Sequence, residues 1–268
     1  MTAAQNRMNE GDHPDTARVA LVTGAAKRIG REIALALADA GWDIAVHFHR
    51  SHAEAEATVA EILQRGRRAV AFACDLADEA QVRALLPAVQ AHFGAVRCVV
   101  NNASLFEYDQ AADFGHARLD AHMHTNLAAP VLLAQALHAA TPAGSQGVVI
   151  NLLDQKLYNL NPDFLSYTLS KAALHSAIPM LAQALAPKVR VVGVAPGLTL
   201  ISHLQTGADF AATHGLSPLG ESSRPDEVAQ AVVFAAQNRA MTGSTMLVDG
   251  GQHLVRFDRD FSMMNRNQ

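Results

Sequence analysis

From Ala17 onward, short aliphatic runs rich in Val and Ile alternate with longer Ala- and Leu-rich segments of helical period. Alternation of this kind marks repeated βαβ units, because parallel strands need a crossover and the crossover helix covers a face of the sheet. Seven runs predict strands: Arg18–Thr23, Asp43–His47, Ala69–Ala73, Cys98–Asn101, Val148–Leu152, Val189–Val194 and Thr245–Val248. Most are nearly continuous in Val, Ile and Leu, as strands covered on both faces require. Six helices are expected between them, over Arg28–Ala40, Ala53–Arg65, Glu79–Phe93, Ala117–Ala140, Leu165–Leu185 and Pro225–Gln237. Gly41, Gly66 and Gly94 follow the first three, where a left-handed residue ends a helix.

No repeat or linker divides the chain, so the expectation is one α/β domain over residues 17–257: a Rossmann-like, doubly wound, seven-stranded parallel sheet flanked by helices. Residues 1–16 and 258–268 read as polar tails. Leu198–Glu221, with Gly207, Gly215, Pro218 and Gly220, breaks the alternation. Following the sixth strand, it would lie over the carboxyl edge of the sheet as a cover for substrate.

Composition narrows the function. Of 268 residues, 21 Lys and Arg face 25 Asp and Glu, a formal charge of -4, which leaves no chain-wide basic field for nucleic acid or an anionic membrane. Cys74 and Cys98 lie in apolar stretches without ligand spacing and read as core thiols of a reducing compartment. Met1–Thr16 lacks the apolar core of a signal peptide and no run approaches the roughly 18 apolar residues of a membrane span, so a cytoplasmic protein is expected. Thirteen histidines invite a metal reading. His122 and His124, however, diverge by about 200° on a helix, and no metal is expected.

The first predicted strand runs into Thr23-Gly24-Ala25-Ala26-Lys27-Arg28-Ile29-Gly30 and then a helix, the arrangement that seats a pyrophosphate. Gly24 permits the turn and Gly30 close helix packing. After the second strand, where an acid would accept from a ribose hydroxyl, the chain reads His47-Phe48-His49-Arg50-Ser51. His49, Arg50 and Ser51 offer donors to a 2′-phosphate, which favours NADPH; a solvated basic turn is the alternative. Asp75 and Leu76 would follow the adenine edge, and Asn102 and Ala103 would pass beneath the cofactor.

Tyr167 and Lys171 stand four apart and share a helix face. A lysine ammonium there would favour the phenolate and lower the tyrosine pKa towards neutrality. Asp154 follows the fifth strand among Leu152, Leu153 and Leu157. It reads either as a helix N-cap or as a proton-transfer partner of Tyr167.

Together with Pro196-Gly197 and Asp249-Gly250-Gly251, these motifs make the chain similar to the short-chain dehydrogenases/reductases from Arg18 to Leu254. Arg28 where most members have a glycine, the His47–Ser51 stretch and Asn101-Asn102-Ala103-Ser104 resemble the pteridine and dihydromonapterin reductase branch. So does Asp154, which stands where the wider family carries a catalytic serine. The resemblance implies that Asp154 and Tyr167 protonate a pterin ring nitrogen, that Lys171 holds the nicotinamide ribose, and that Asn126 orders a relay water. It further implies that Ser104 and Phe106 line the pterin pocket, that Arg28 faces cofactor and substrate together, that Pro196 and Gly197 border the cofactor with Ile29, and that the protein is a homotetramer. Carbonyl reduction needs a neutral hydroxyl donor, whereas C=N reduction needs a proton on nitrogen, which an acid beside a tyrosine can deliver. Reduction of another small carbonyl or imine is the alternative, and a non-catalytic NADPH-binding protein a further one.

Overall fold

The computed structural model describes residues 18–202 and 205–264; the predicted N-terminal tail lies outside them, as do residues 265–268 of the C-terminal one. The seven strands are β1 (Val19–Val22), β2 (Asp43–Phe48), β3 (Ala69–Ala73), β4 (Val96–Asn101), β5 (Gly147–Leu152), β6 (Val189–Pro196) and β7 (Thr245–Val248). They form one parallel sheet in the order β3-β2-β1-β4-β5-β6-β7. The winding reverses between β1 and β4, and the crevice at the carboxyl ends of those strands is where such sheets bind ligands.

Alternate strand residues feed two cores. Ala20, Val22, Ile44, Val46 and Ile150 pack beneath α1 (Arg28–Asp39), α2 (His52–Gln64) and α8 (Pro225–Gln237). Val19, Leu21, Ala45, Val99 and Val149 pack beneath α3 (Glu79–Phe93), α5 (Ala129–Ala140) and α6 (Leu165–Leu185). Burial on both faces explains the unbroken aliphatic runs. Each buried Val, Leu or Ile side chain contributes roughly 1.5–3 kcal/mol on leaving water. Cys74 and Cys98 are free and buried, and burial pushes their thiols up to about 11 and about 12.

Three segments depart from expectation. The helix expected over Ala117–Ala140 is α4 (His116–Met123), a π-turn over His124–Ala128, and then α5. Pro130 is the cause: it has no N–H for the carbonyl four residues back, that of Asn126, and its ring displaces the turn. The aperiodic Leu198–Glu221 stretch holds a helix, α7 (Gly207–His214), started by a reciprocal cap between Thr206 and Asp209. Residues 258–264 are not a free tail. They fold back on the segment between β5 and α6 through Arg259 Nε and the Asp260 N–H, each donating to Asp163 Oδ2 at 2.8 Å, and through an ion pair of 3.1 Å between Lys156 and Asp260.

Candidate active site

The turn from β1 into α1 is as tight as its glycines allow. Gly24 has φ +64°, and a Cβ on Gly30 would lie 2.2 Å from Gly24 O and 2.4 Å from Asn102 Nδ2. Arg28 adopts φ +56°, a left-handed conformation that costs a residue with a Cβ about 1–2 kcal/mol and that a glycine would adopt without strain. Its Nη2 donates to Ile201 O at 3.1 Å, tying the turn to the segment after β6.

Neighbouring strand ends lock this turn. His47 Nδ1 accepts from the Gly24 N–H at 3.0 Å, so Nε2 carries the proton and donates to Cys74 O at 3.0 Å. Burial pushes this ring down to about 4 and keeps it neutral. Thr23 Oγ1 accepts from the N–H groups of Asn102 and Ala103 at 2.9 and 3.0 Å, while Asn102 Nδ2 donates to Thr23 O at 2.9 Å. His47 and Thr23 are not site residues on the sequence reading; their spacing carries no sign that they bond to this turn.

A cavity of about 700 Å³ opens over the turn and the N-terminus of α1. Gly24, Arg28 and Ile29 line it at the turn; His49, Arg50 and Ser51 beyond β2; Asp75 and Leu76 beyond β3; Asn102 and Ala103 beyond β4. His49 lies 3.7 Å from Asp75, whereas exposed Arg50 has no hydrogen-bond or ion-pair partner among the described residues. The cradle at Gly30, which no side chain could enter, and the unpaired cation fit a phosphorylated dinucleotide.

A second cavity, of about 530 Å³, shares Arg28, Ile29, Asn102 and Ser104 with the first, so the two form one cleft. Arg28 thus faces both halves. Asp154, Tyr167 and Lys171 line the inner wall, Phe106 one side, Pro196 and Gly197 the end of β6, and Asp260, Phe261 and Ser262 the far side. Gly197 is closely hemmed in, since a Cβ there would lie 2.3 Å from Ser222 Oγ and 2.8 Å from Asp249 Cβ.

Asp154 caps a turn and also bonds to Tyr167. Its Oδ1 accepts from the Lys156 N–H at 2.8 Å, capping a 3₁₀ turn over Gln155–Tyr158, and its Oδ2 accepts from the Tyr167 hydroxyl at 2.8 Å. Burial raises the Asp154 pKa above the ordinary carboxylate range. The expected lowering of Tyr167 is not found: burial, and then Asp154, push it well above 10. Lys171 does not offset this. Its Nζ donates to Leu152 O at 2.7 Å, lies 5.9 Å from the Tyr167 ring centre, and is itself lowered by burial to about 8. Tyr167 is therefore a neutral phenol donating to a buried acid, not a phenolate.

Asn126 sits in the π-turn and lines neither cavity. Its Oδ1 accepts from the Leu105 N–H at 2.8 Å and Ser104 Oγ at 3.2 Å, and its Nδ2 donates to Leu105 O and Ser170 Oγ, both at 3.0 Å. The side chain pins the Ser104–Phe106 segment to α6 and does not face the cleft. Phe106 stacks on Phe164 at 4.2 Å and meets Tyr167 edge-on at 4.7 Å, so its orientation is fixed from two sides.

A parallel sheet wound in this order, with a dinucleotide-sized cleft at its reversal and a buried acid–phenol pair beside it, is the framework of a nucleotide-dependent oxidoreductase. The chain belongs to the short-chain dehydrogenase family, whose model matches residues 18–209. It is 34% identical over 244 residues to an uncharacterized oxidoreductase of Methylorubrum extorquens, covering 87% of this chain and 97% of that protein. It is 31% identical over 243 residues to the 3-oxoacyl-(acyl-carrier-protein) reductase FabG of Staphylococcus aureus, covering 88% and 98%. Among solved structures, FolM alternative dihydrofolate reductase 1 of Brucella canis, complexed with NADP, superposes with a TM-score of 0.85 at 41% identity, covering 89% of this chain and 94% of that one.

Proposed function

We propose that this protein is an NADPH-dependent reductase of a dihydropteridine ring, the class that includes dihydropterins, dihydromonapterin and dihydrofolate. The observation that carries the reading is the 2.8 Å hydrogen bond from Tyr167 to a buried Asp154 at the wall of the smaller cavity. The 41% identity with a dihydrofolate reductase solved with NADP supports it.

The dinucleotide would be held by the α1 N-terminus, Asn102, Ala103 and Lys171, with Arg50 and Ser51 taking the 2′-phosphate; bound there, it supplies a hydride to the imine carbon. The protein's own task is the proton. Negative charge gathers on the ring nitrogen as the carbon is reduced, and an acid of raised pKa delivers a proton to it through Tyr167 without solvent in between. Lys171, fixed by Leu152 O, places a cation on the same wall of the smaller cavity as Tyr167. Phe106 gives the ring a flat apolar surface, and Arg28, spanning both cavities, contacts cofactor and substrate. On α6, Leu169 and Met180 are exposed, which suits subunit contacts in a homotetramer. No helix among the described residues is long and apolar enough to cross a membrane.

The kinship with FabG favours one second reading, a reductase of another small carbonyl or imine. Following NADPH oxidation with dihydropterins, dihydrofolate, ketones and 3-oxoacyl thioesters separates the two. Turnover of the pteridines is expected; turnover of ketones with none on pteridines overturns the proposal.

A further inference from the structure

Gln155 follows Asp154 directly, lines the smaller cavity and is 5% exposed, yet its carboxamide makes no hydrogen bond with any described residue. Its Oε1 is shielded from solvent and unpartnered. Leaving a buried amide unpaired costs a fold free energy, and such groups call for an explanation. The other orphaned side chains supply a contrast. Asn101 and Asn151 bond to each other, Gln252 Oε1 accepts from the Leu198 N–H, Arg67 pairs with Asp43 and Arg190 donates to Ala235 O and Ala236 O; none of these, nor Trp42 with its unpartnered indole N–H, lines either of the two cavities.

The polar groups around Gln155 are already engaged. Asp154 is shared between Tyr167 and the Lys156 N–H, Lys156 Nζ donates to Asp163 O and Asp260, and Ser262 Oγ donates to Asp260. Within this cluster, the Gln155 carboxamide alone is left with both hydrogen-bonding atoms unspent, on a residue that lines the cavity. A carboxamide presents a donor and an acceptor side by side, and its complement is a group that does the same in reverse, a lactam or an amidine. Asp154 and Gln155 line the same cavity, so one ligand there can carry both that complement and the atom that receives the proton.

We infer that Gln155 is a specificity-determining residue whose carboxamide pairs with a lactam or amidine edge fused to the ring being reduced. This rests on the pteridine reading above, and a dihydropterin carries such an edge in its 2-amino-4-oxopyrimidine ring. A 3-oxoacyl chain has none, so the same residue selects against it, leaving the amide unpaired in that complex.

The test is steady-state kinetics of Gln155→Met with a dihydropterin and NADPH, beside the thermal midpoint and the NADPH dissociation constant; Gln155→Leu stands in if the Met variant folds poorly. A group that reads an edge equally in ground and transition states raises KM, here about 10- to 100-fold, and leaves kcat within about threefold. The midpoint should hold or rise, because an unpartnered amide is being replaced by an apolar side chain of similar size. Unchanged KM, or a fall in kcat at constant KM from a displaced Asp154, overturns the inference while the pteridine reading stands. A wild-type enzyme inert towards dihydropterin overturns both.

Discussion

Replacing Asp154 with asparagine separates its two jobs. The amide oxygen can still accept from the Lys156 N–H, as Oδ1 does at 2.8 Å, so the 3₁₀ cap survives. The amide nitrogen takes the place of the oxygen now bonded to Tyr167, and it has no proton to transfer. Losing a positioned general acid removes about 10²- to 10⁴-fold in rate, or about 3–5 kcal/mol of transition-state stabilisation. Stability should move the other way. Burial raises the Asp154 pKa, so the native state keeps this proton where the unfolded chain has lost it, and stability from the group falls as pH rises through that window. The Asp154→Asn change removes the dependence and leaves the variant at least as stable at neutral pH. NADPH oxidation with a dihydropterin and thermal melts, both followed across pH, read the two effects together. Wild-type kcat/KM should fall with rising pH as Asp154 ionises, and the variant should lack that limb. Activity within about threefold of wild type, or a destabilised variant, would refute the assignment and leave Asp154 a cap alone.

Two further substitutions probe the cofactor half. Arg50→Glu should weaken NADPH about 10- to 100-fold, the worth of a charge-assisted contact with phosphate, and reverse the preference towards NADH; dissociation constants for both nucleotides check it. His47, neutral and held down to about 4 from an ordinary 6.5, resists protonation only while folded. Stability should therefore be full above pH 6.5 and fall by about 3 kcal/mol as pH drops towards 4, and His47→Gln should flatten that acid limb in denaturant melts.

Legibility tracked the range of the interactions. The strands read easily because both faces are buried, and α3 and α8 begin and end as expected because their starts carry local signals: Asp78 accepts from the Ala80 and Gln81 N–H groups, and Pro225 opens α8. The break before α5 did not show, since the apolar period continues through it and Pro130 acts on a carbonyl one turn earlier. The Tyr167–Lys171 spacing placed both residues on the cleft, but not their protonation, which burial and Asp154 decide. Gln155 and Asp260 were invisible for a different reason. Lys156 meets Asp260 across 104 residues, and nothing local marks a segment that returns to the site from so far away.

The central claim is that Asp154 and Tyr167 protonate a pteridine nitrogen, and a crystal structure of the protein with NADP and a dihydropterin tests it most directly. The account predicts the ring lying against Phe106, with the nitrogen of its imine about 3 Å from the Tyr167 hydroxyl or the Asp154 carboxyl. A ring bound with that nitrogen turned away from both residues, or seated outside the cleft, would contradict it.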